Sequence, residues 1–343
     1  MFPWTRAGIV KTDQSLGANV SESLTTLLSH TLFASPPQDA EAIQHEIQRR
    51  VPETELTVAR TPADSRRLIP TADILVTASL SVDLLDRAED LQWVQAVSSG
   101  VDAYPLDRLR EAGIVLTNGA GIHGEPIAEQ ILGYLFTFER RLHTARDQQS
   151  RQTWQRYQVG ELHGKTLGVI GVGAVGKRLA EVLEPFSMEV IGVRRQTENV
   201  PAGFDDVVSS DELFDVLPRV DYLVLACPLT DETRGMIGHE ELGVMDASAV
   251  LINIARGAVV DQDALVGQLQ SRGIRGAALD VFEEEPLPPD STLWKLPNVL
   301  VTPHMAGSTP REAPRIAELF AENFAAFTRD DAGGMPSRVL LTD

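Results

Sequence analysis

A glycine-spaced turn, Gly171-Val172-Gly173-Ala174-Val175-Gly176, follows the apolar run Leu167-Gly168-Val169-Ile170 and precedes Lys177-Arg178-Leu179-Ala180-Glu181-Val182-Leu183. No other feature of the chain restricts its fold so strongly. The apolar run reads as a buried strand and the stretch after the glycines as an amphipathic helix, which makes this a βα turn. Gly171 permits the tight turn, Gly173 lets the backbone approach a bound group, and Gly176 lets helix and strand pack closely. A helix N-terminus behind such a turn offers free N–H groups to a phosphate.

The same alternation of short apolar runs with helical stretches covers most of the 343 residues and predicts parallel sheets with covering helices. Expected strands in the first half are Thr31 to Ala34, Leu56 to Ala59, Asp73 to Thr77, Trp93 to Val97 and Val115 to Thr117. Helices are expected near residues 38–50, 81–88 and 105–112. A single long helix is expected from Glu125 to Arg146, with Ile127, Ile131, Leu135, Phe138 and Leu142 at helical spacing. A second series of strands follows: Leu167 to Ile170, Glu189 to Val193, Tyr222 to Ala226, Val250 to Asn253, Gly276 to Asp280 and Val299 to Thr302. The turn Gly307-Ser308-Thr309-Pro310 reads as a hinge before a last helix, Pro310 to Phe327, which is expected to return to the first unit. Residues 1–30 carry no clear period and read as a loose extension.

Charge narrows the choice of partners. The formal net charge is -19, and Lys11, Lys165, Lys177 and Lys295 are the only lysines. Such a chain repels nucleic acid and anionic membranes, and its acidic, lysine-poor surface fits a high-salt source. No apolar run approaches the roughly 18 to 20 residues that span a bilayer. The single cysteine, Cys227, fits a reducing compartment, so the expected address is cytoplasmic.

Placed inside a βαβ unit, the glycine turn points to a dinucleotide. The next strand ends in Arg194-Arg195, where an acid would bind a ribose 2′-OH. Two guanidinium groups there suit a 2′-phosphate, which favours NADP(H) and leaves NAD(H) possible; solvated arginines at a strand end are the alternative. Three further ionisable residues stand at or just beyond apparent strand ends. Arg256 could clamp a carboxylate and polarise the neighbouring carbonyl. Glu285, fixed by Pro286, could hold His304 protonated, and His304 could then protonate a forming alkoxide. Ser99 and Gly100 offer backbone N–H groups to a carboxylate, although a plain turn would look the same. Cys227 has no histidine beside it in sequence and is not expected to act as a nucleophile. His123, His143, His163 and His239 lack metal-ligand spacing, and no metal site is expected.

The segments Val169 to Gly176, Asn253 to Asp261, Leu279 to Pro288 and Thr302-Pro303-His304 together resemble the D-isomer-specific 2-hydroxyacid dehydrogenase family, which includes glyoxylate/hydroxypyruvate reductases. The likeness covers roughly residues 93–327 strongly and 31–92 more loosely. It implies a Rossmann-type doubly wound cofactor domain, residues 122–307, inserted in a flavodoxin-like substrate domain, residues 1–121 plus 308–343. It also implies that Arg256 binds the substrate, Glu285 tunes the histidine, His304 is the acid/base, and Ser99 and Gly100 hold the substrate carboxylate. Cofactor contacts are implied for Gly171, Gly173, Ala174, Val175, Gly176, Arg194, Arg195, Cys227, Pro228, Thr233, Ile254, Ala255, Asp280, His304 and Gly307. The resemblance further implies a homodimer joined through the cofactor domains and an NADPH-dependent reductase of 2-oxo acids. Arg194, where many members carry aspartate, is the departure from the family pattern; it resembles the NADPH-using reductases and the haloarchaeal 2-oxoacid reductases. A dehydrogenase of another small anion, such as phosphite, and a dinucleotide-sensing corepressor-like module are the competing functions.

Overall fold

The computed structural model of the chain describes residues 24–33, 40–329 and 331–339. Among these residues twelve strands form two sheets in which every strand pairs in parallel with its neighbours. The first contains β1 (Thr25–Leu28), β2 (Glu55–Val58), β3 (Ile74–Thr77), β4 (Trp93–Ala96) and β5 (Val115–Thr117) in the order 2-1-3-4-5, the flavodoxin-like arrangement. The second contains β6 (Thr166–Ile170), β7 (Glu189–Val193), β8 (Asp206–Val208), β9 (Tyr222–Leu225), β10 (Val250–Asn253), β11 (Gly276–Leu279) and β12 (Val299–Val301). Its order, 12-11-10-9-6-7-8, reverses direction beside β6, so the glycine turn lies at the switch point of a doubly wound sheet.

Helices fill the crossovers. In chain order they are α1 (Ala40–Arg50), α2 (Pro62–Leu68), α3 (Val82–Leu85), α4 (Leu106–Glu111), α5 (Gly124–Glu139), α6 (Leu142–Ser150), α7 (Ala174–Leu183), α8 (Leu213–Val216), α9 (His239–Val244), α10 (Gln262–Ser271) and α11 (Glu312–Thr328). Both faces of each sheet are covered, and the strands show it by alternation. Tyr222 and Val224 of β9 enter one core while Leu223 and Leu225 enter the other. In the smaller sheet Ile74 and Val76 face one core and Leu75 the opposite one. Side chains on a strand alternate by face, so a run buried on both sides reads as continuously apolar.

The last helix packs on the first sheet. Phe320 of α11 stacks on Trp93 with ring centroids 5.1 Å apart. Beside them Gln95 Oε1 accepts hydrogen bonds from Thr117 Oγ1 and Asn323 Nδ2, both at 2.8 Å. Asn323 Nδ2 also donates to Ser337 Oγ at 2.9 Å, so α11 adds polar contacts to the apolar one.

Three expectations need correction. The first strand is Thr25–Leu28, with Thr31 to Phe33 in a 3-10 turn; Ala34 and residues 1–23 lie outside the described residues. Residues 25–30 are therefore no loose extension, and β1 lies between β2 and β3. Two threonines hide the strand's apolar pattern, because buried Thr26 gives its hydroxyl to a 2.7 Å bond with Thr54 and so tolerates a core position. The predicted helix from Glu125 to Arg146 is two helices, broken where Arg141 turns left-handed at φ 51°. Neither glycine nor proline marks the break; Arg275 Nη2 caps the end of α5 by donating to Phe138 O at 2.6 Å. The edge strand β8 also escaped notice, for it opens on the exposed Asp206 and only Val207 is buried.

Candidate active site

A cleft of about 630 Å³ opens between the two sheets. Its lining comes from loops after the carboxyl ends of β3, β4, β6, β9, β10, β11 and β12, together with the segment that leads into α5. Ligands of open α/β sheets gather at such ends. Of the residues singled out in the sequence, Ser99, Gly100, Gly173, Ala174, Val175, Cys227, Pro228, Ile254, Ala255, Arg256, Asp280, His304 and Gly307 line this cleft. Glu285 reaches it by hydrogen bonding to His304. Thr233 lies behind Pro228 and donates to its carbonyl at 2.7 Å.

The glycine turn is built as a cradle. Gly171 has φ 106°, and a Cβ there would lie 2.6 Å from the Ala226 carbonyl carbon, so no other residue fits. An added Cβ on Gly173 would meet nothing, which leaves room for a ligand against the backbone. Ala174 and Val175 open α7 on the cleft wall, where first-turn N–H groups lack partners within the helix. The Gly171 N–H donates to Val193 O at 3.0 Å, which brings the end of β7 and hence Arg194 beside the turn. The Arg194 guanidinium donates to Asn199 O, while its Nε is buried without a hydrogen-bond partner. Arg195 is exposed and faces Glu232 at 3.5 Å. A glycine cradle, a helix N-terminus and a cation beside it fit a nicotinamide dinucleotide.

His304 and Glu285 come from neighbouring βα loops. His304 Nδ1 lies 2.7 Å from Glu285 Oε2, and Glu285 Oε1 accepts the Phe282 N–H at 3.0 Å. The hydrogen bond to Glu285 raises the His304 pKa above its ordinary 6.5, burial working against it. Burial tends to raise Glu285, but the bonds from His304 and Phe282 outweigh it and hold the carboxyl below its usual range. Both shifts favour the imidazolium–carboxylate form of the pair, and the bond at Nδ1 leaves Nε2 for another partner.

The loop that carries the imidazole is fixed by an acid. His304 adopts φ 48°, a left-handed conformation costing on the order of 1 kcal/mol for a residue with a Cβ. Its N–H donates to Asp280 O at 2.8 Å. The buried Asp280 carboxylate accepts from Thr302 Oγ1 at 2.5 Å, Met305 N at 3.0 Å and Ala306 N at 2.9 Å. Three donors make a buried carboxylate tolerable, and here they lock the turn from 302 to 306 around it.

Arg256 ends β10 on a turn held by Asn253, whose side chain donates to Arg256 O and accepts from Ala255 N, both at 3.0 Å. Gly257 permits close passage of the loop that carries Glu285, since a Cβ there would lie 1.8 Å from Phe282 C. Cys227 is buried, and burial pushes its thiol up to about 11, which keeps it neutral and a poor nucleophile.

Three cleft residues escaped the sequence reading. Asp102 lies 3.2 Å from Arg256 Nη2, and His123 lies between Ser99 Oγ and Glu312 Oε1 at 3.3 Å from each. Asp102 closes the Ser98-Ser99-Gly100-Val101 turn already noted, so it was within reach. The 189 residues between His123 and Glu312 put that pair beyond any local signal.

Comparison with known proteins agrees with this geometry. The family described as "D-isomer specific 2-hydroxyacid dehydrogenase, NAD binding domain" matches residues 132–306. Glyoxylate reductase of Aeropyrum pernix is 36% identical over 266 residues, covering 74% of this chain and 78% of its own length. D-3-phosphoglycerate dehydrogenase of Methanocaldococcus jannaschii is 32% identical across 88% of this chain, which spans only 58% of that longer protein. The solved NADPH-dependent glyoxylate/hydroxypyruvate reductase of Sinorhizobium meliloti, in complex with NADP and sulfate, superposes with a TM-score of 0.81 at 25% identity, covering 93% of this chain and 98% of that one. By its fold, its nicotinamide-dinucleotide site and its sequence, the chain belongs to the D-isomer-specific 2-hydroxyacid dehydrogenase family.

Proposed function

We propose that the protein is an NADPH-dependent reductase that converts a small 2-oxo acid into the D-2-hydroxy acid. The observation that carries this reading is the 2.7 Å contact of His304 Nδ1 with Glu285 Oε2, in the same cleft as Arg256 and the glycine cradle. A reduced nicotinamide dinucleotide held by Gly173, Ala174 and Val175 would supply the hydride that the carbonyl carbon takes up. Arg256 holds the substrate carboxylate, with the Ser99 and Gly100 backbone N–H groups on its other side. As negative charge grows on the carbonyl oxygen, His304 donates the proton from Nε2, and Glu285 stabilises the imidazolium beforehand. In the oxidative direction neutral His304 takes the proton back.

The preference for NADPH rests on Arg194. Arg194 directly follows β7, whose last carbonyl accepts the Gly171 N–H, and its guanidinium is a charge partner suited to a 2′-phosphate. The Sinorhizobium meliloti relative, which is NADPH-dependent and holds NADP, supports the same choice. Glyoxylate and hydroxypyruvate are the first substrates to try, following the names of the relatives. The test follows NADPH and NADH oxidation with a panel of 2-oxo acids, for the wild type and Arg194→Ala. We expect the variant to lose roughly tenfold or more in kcat/KM with NADPH and little with NADH. A wild type that prefers NADH would overturn the cofactor assignment. Failure to oxidise either cofactor with any 2-oxo acid would return the chain to a nucleotide-binding module.

The working unit in this reading is a cytoplasmic homodimer suited to high salt. No residue of α6 is buried, and the segment after it exposes Trp154 at 93% and Val159 at 41%. Apolar side chains presented this openly fit contact with a second copy. Sedimentation of the wild type and Trp154→Glu in low and high KCl checks both ideas: we expect a dimer at high salt and a shift towards monomer in the variant. A wild-type monomer at every salt concentration would refute the assembly.

A further inference from the structure

The Arg256 guanidinium has five N–H donors, and two of them donate hydrogen bonds in this structure. Nε donates to Asp102 Oδ2 at 3.3 Å, Nη2 lies 3.2 Å from Asp102 Oδ1, and Nη1 donates to Ala255 O at 2.8 Å. At least one N–H therefore remains on each terminal nitrogen, enough for the two-bond grip of a carboxylate. The two partners come from different sheets. Arg256 follows β10, whereas Asp102 follows β4 in the turn that also presents the Ser99 and Gly100 N–H groups. The fit between the loops is close: a Cβ on Gly100 would lie 2.0 Å from Arg256 Nη2.

Arg256 keeps 30% of its side-chain surface exposed and Asp102 keeps 38%. An ion pair so open to water adds little stability, and its geometric effect is the larger one. Without Asp102 the long arginine side chain would hold one backbone contact and regain much of its rotamer freedom. We infer that Asp102 is a positioning residue for the reaction: it fixes the guanidinium plane, leaves a donor on each terminal nitrogen for the substrate carboxylate, and ties that grip to the loop of the opposite sheet. Its negative charge also opposes the substrate's, so it orients Arg256 at some cost in anion affinity. This inference rests on Arg256 being the carboxylate-binding residue.

The experiment compares wild type, Asp102→Asn, Asp102→Ala and Arg256→Lys by steady-state reduction of glyoxylate and by binding of oxamate, an unreactive 2-oxo acid analogue, to the NADPH-loaded enzyme. Thermal midpoints are recorded for all four. For Asp102→Asn we expect kcat to fall roughly 10- to 100-fold, oxamate to bind no more weakly than to wild type, and the midpoint to stay put. Asp102→Ala should lose at least as much turnover. Turnover within twofold of wild type in Asp102→Ala overturns the inference, as does a loss in Asp102→Asn that appears wholly as weaker oxamate binding or as unfolding. Arg256→Lys tests the underlying reading separately: wild-type kcat/KM and oxamate affinity in that variant would remove Arg256 from the carboxylate site, whatever Asp102 does.

Discussion

Two imidazole–carboxylate pairs face the same cleft, and they are built differently. His304 and Glu285 are 19 residues apart on neighbouring loops of one sheet and lie 2.7 Å from each other. Each has further support: Asp280 fixes the histidine's turn, and the Phe282 N–H holds the glutamate. His123 and Glu312 are 189 residues apart and meet at 3.3 Å. They stand where the chain passes between the units, His123 just before α5 and Glu312 at the start of α11. Gly307 packs so close that a Cβ there would lie 2.8 Å from the His123 ring. The short, buttressed pair has the order that proton transfer needs. The longer pair joins two crossings of the chain, which suits it to holding the units in register.

Substitutions can separate the two descriptions. The largest effect is expected at His304: His304→Ala should lose about 10³-fold in kcat, the middle of the range for a general acid, while NADPH titration still shows binding. Turnover close to wild type would assign the proton to another group. Glu285→Gln should cost less in rate and change the pH profile. Glu285 raises the His304 pKa, so the protonated acid persists to higher pH in the wild type than it would without that carboxylate. Reductive kcat/KM should fall as pH rises through that raised pKa, and in the variant the alkaline limb should move to lower pH. An unmoved limb would disconnect Glu285 from the titration. The smallest catalytic effect belongs to the second pair: His123→Gln should change kcat by only a few-fold and lower the thermal midpoint instead. A loss of turnover as deep as that of His304→Ala would erase the contrast between the pairs.

Much of the reacting group was legible because its members stand at or just beyond strand ends within one alternating series. Arg256, Asp280 and His304 each follow an apolar run that cannot be misplaced by more than a residue or two. Where polarity was locally satisfied, legibility failed. Thr25 and Thr26 look like loop residues until Asp73 and Thr54 supply their hydroxyl partners, and the first strand was consequently misplaced. Arg141 gives no sign of its left-handed turn, and Arg275, which caps α5 there, is distant in sequence. Asp102 gave only a turn, because its partner Arg256 is 154 residues away.

The sequence by itself determined the parallel α/β class and the glycine turn between strand and helix, and it singled out Arg256, Glu285 and His304, which the fold brings to one cleft. These follow from local periodicity and from residue chemistry, both readable along the chain. Tertiary structure alone decided which other charges meet: that Asp280 turns its carboxylate onto the 302–306 loop, and that Asp102 takes one edge of Arg256. Hydrogen bonds and ion pairs act over a few ångströms between groups far apart in sequence. Their partners are fixed by how the two sheets pack, and no local pattern encodes that distance.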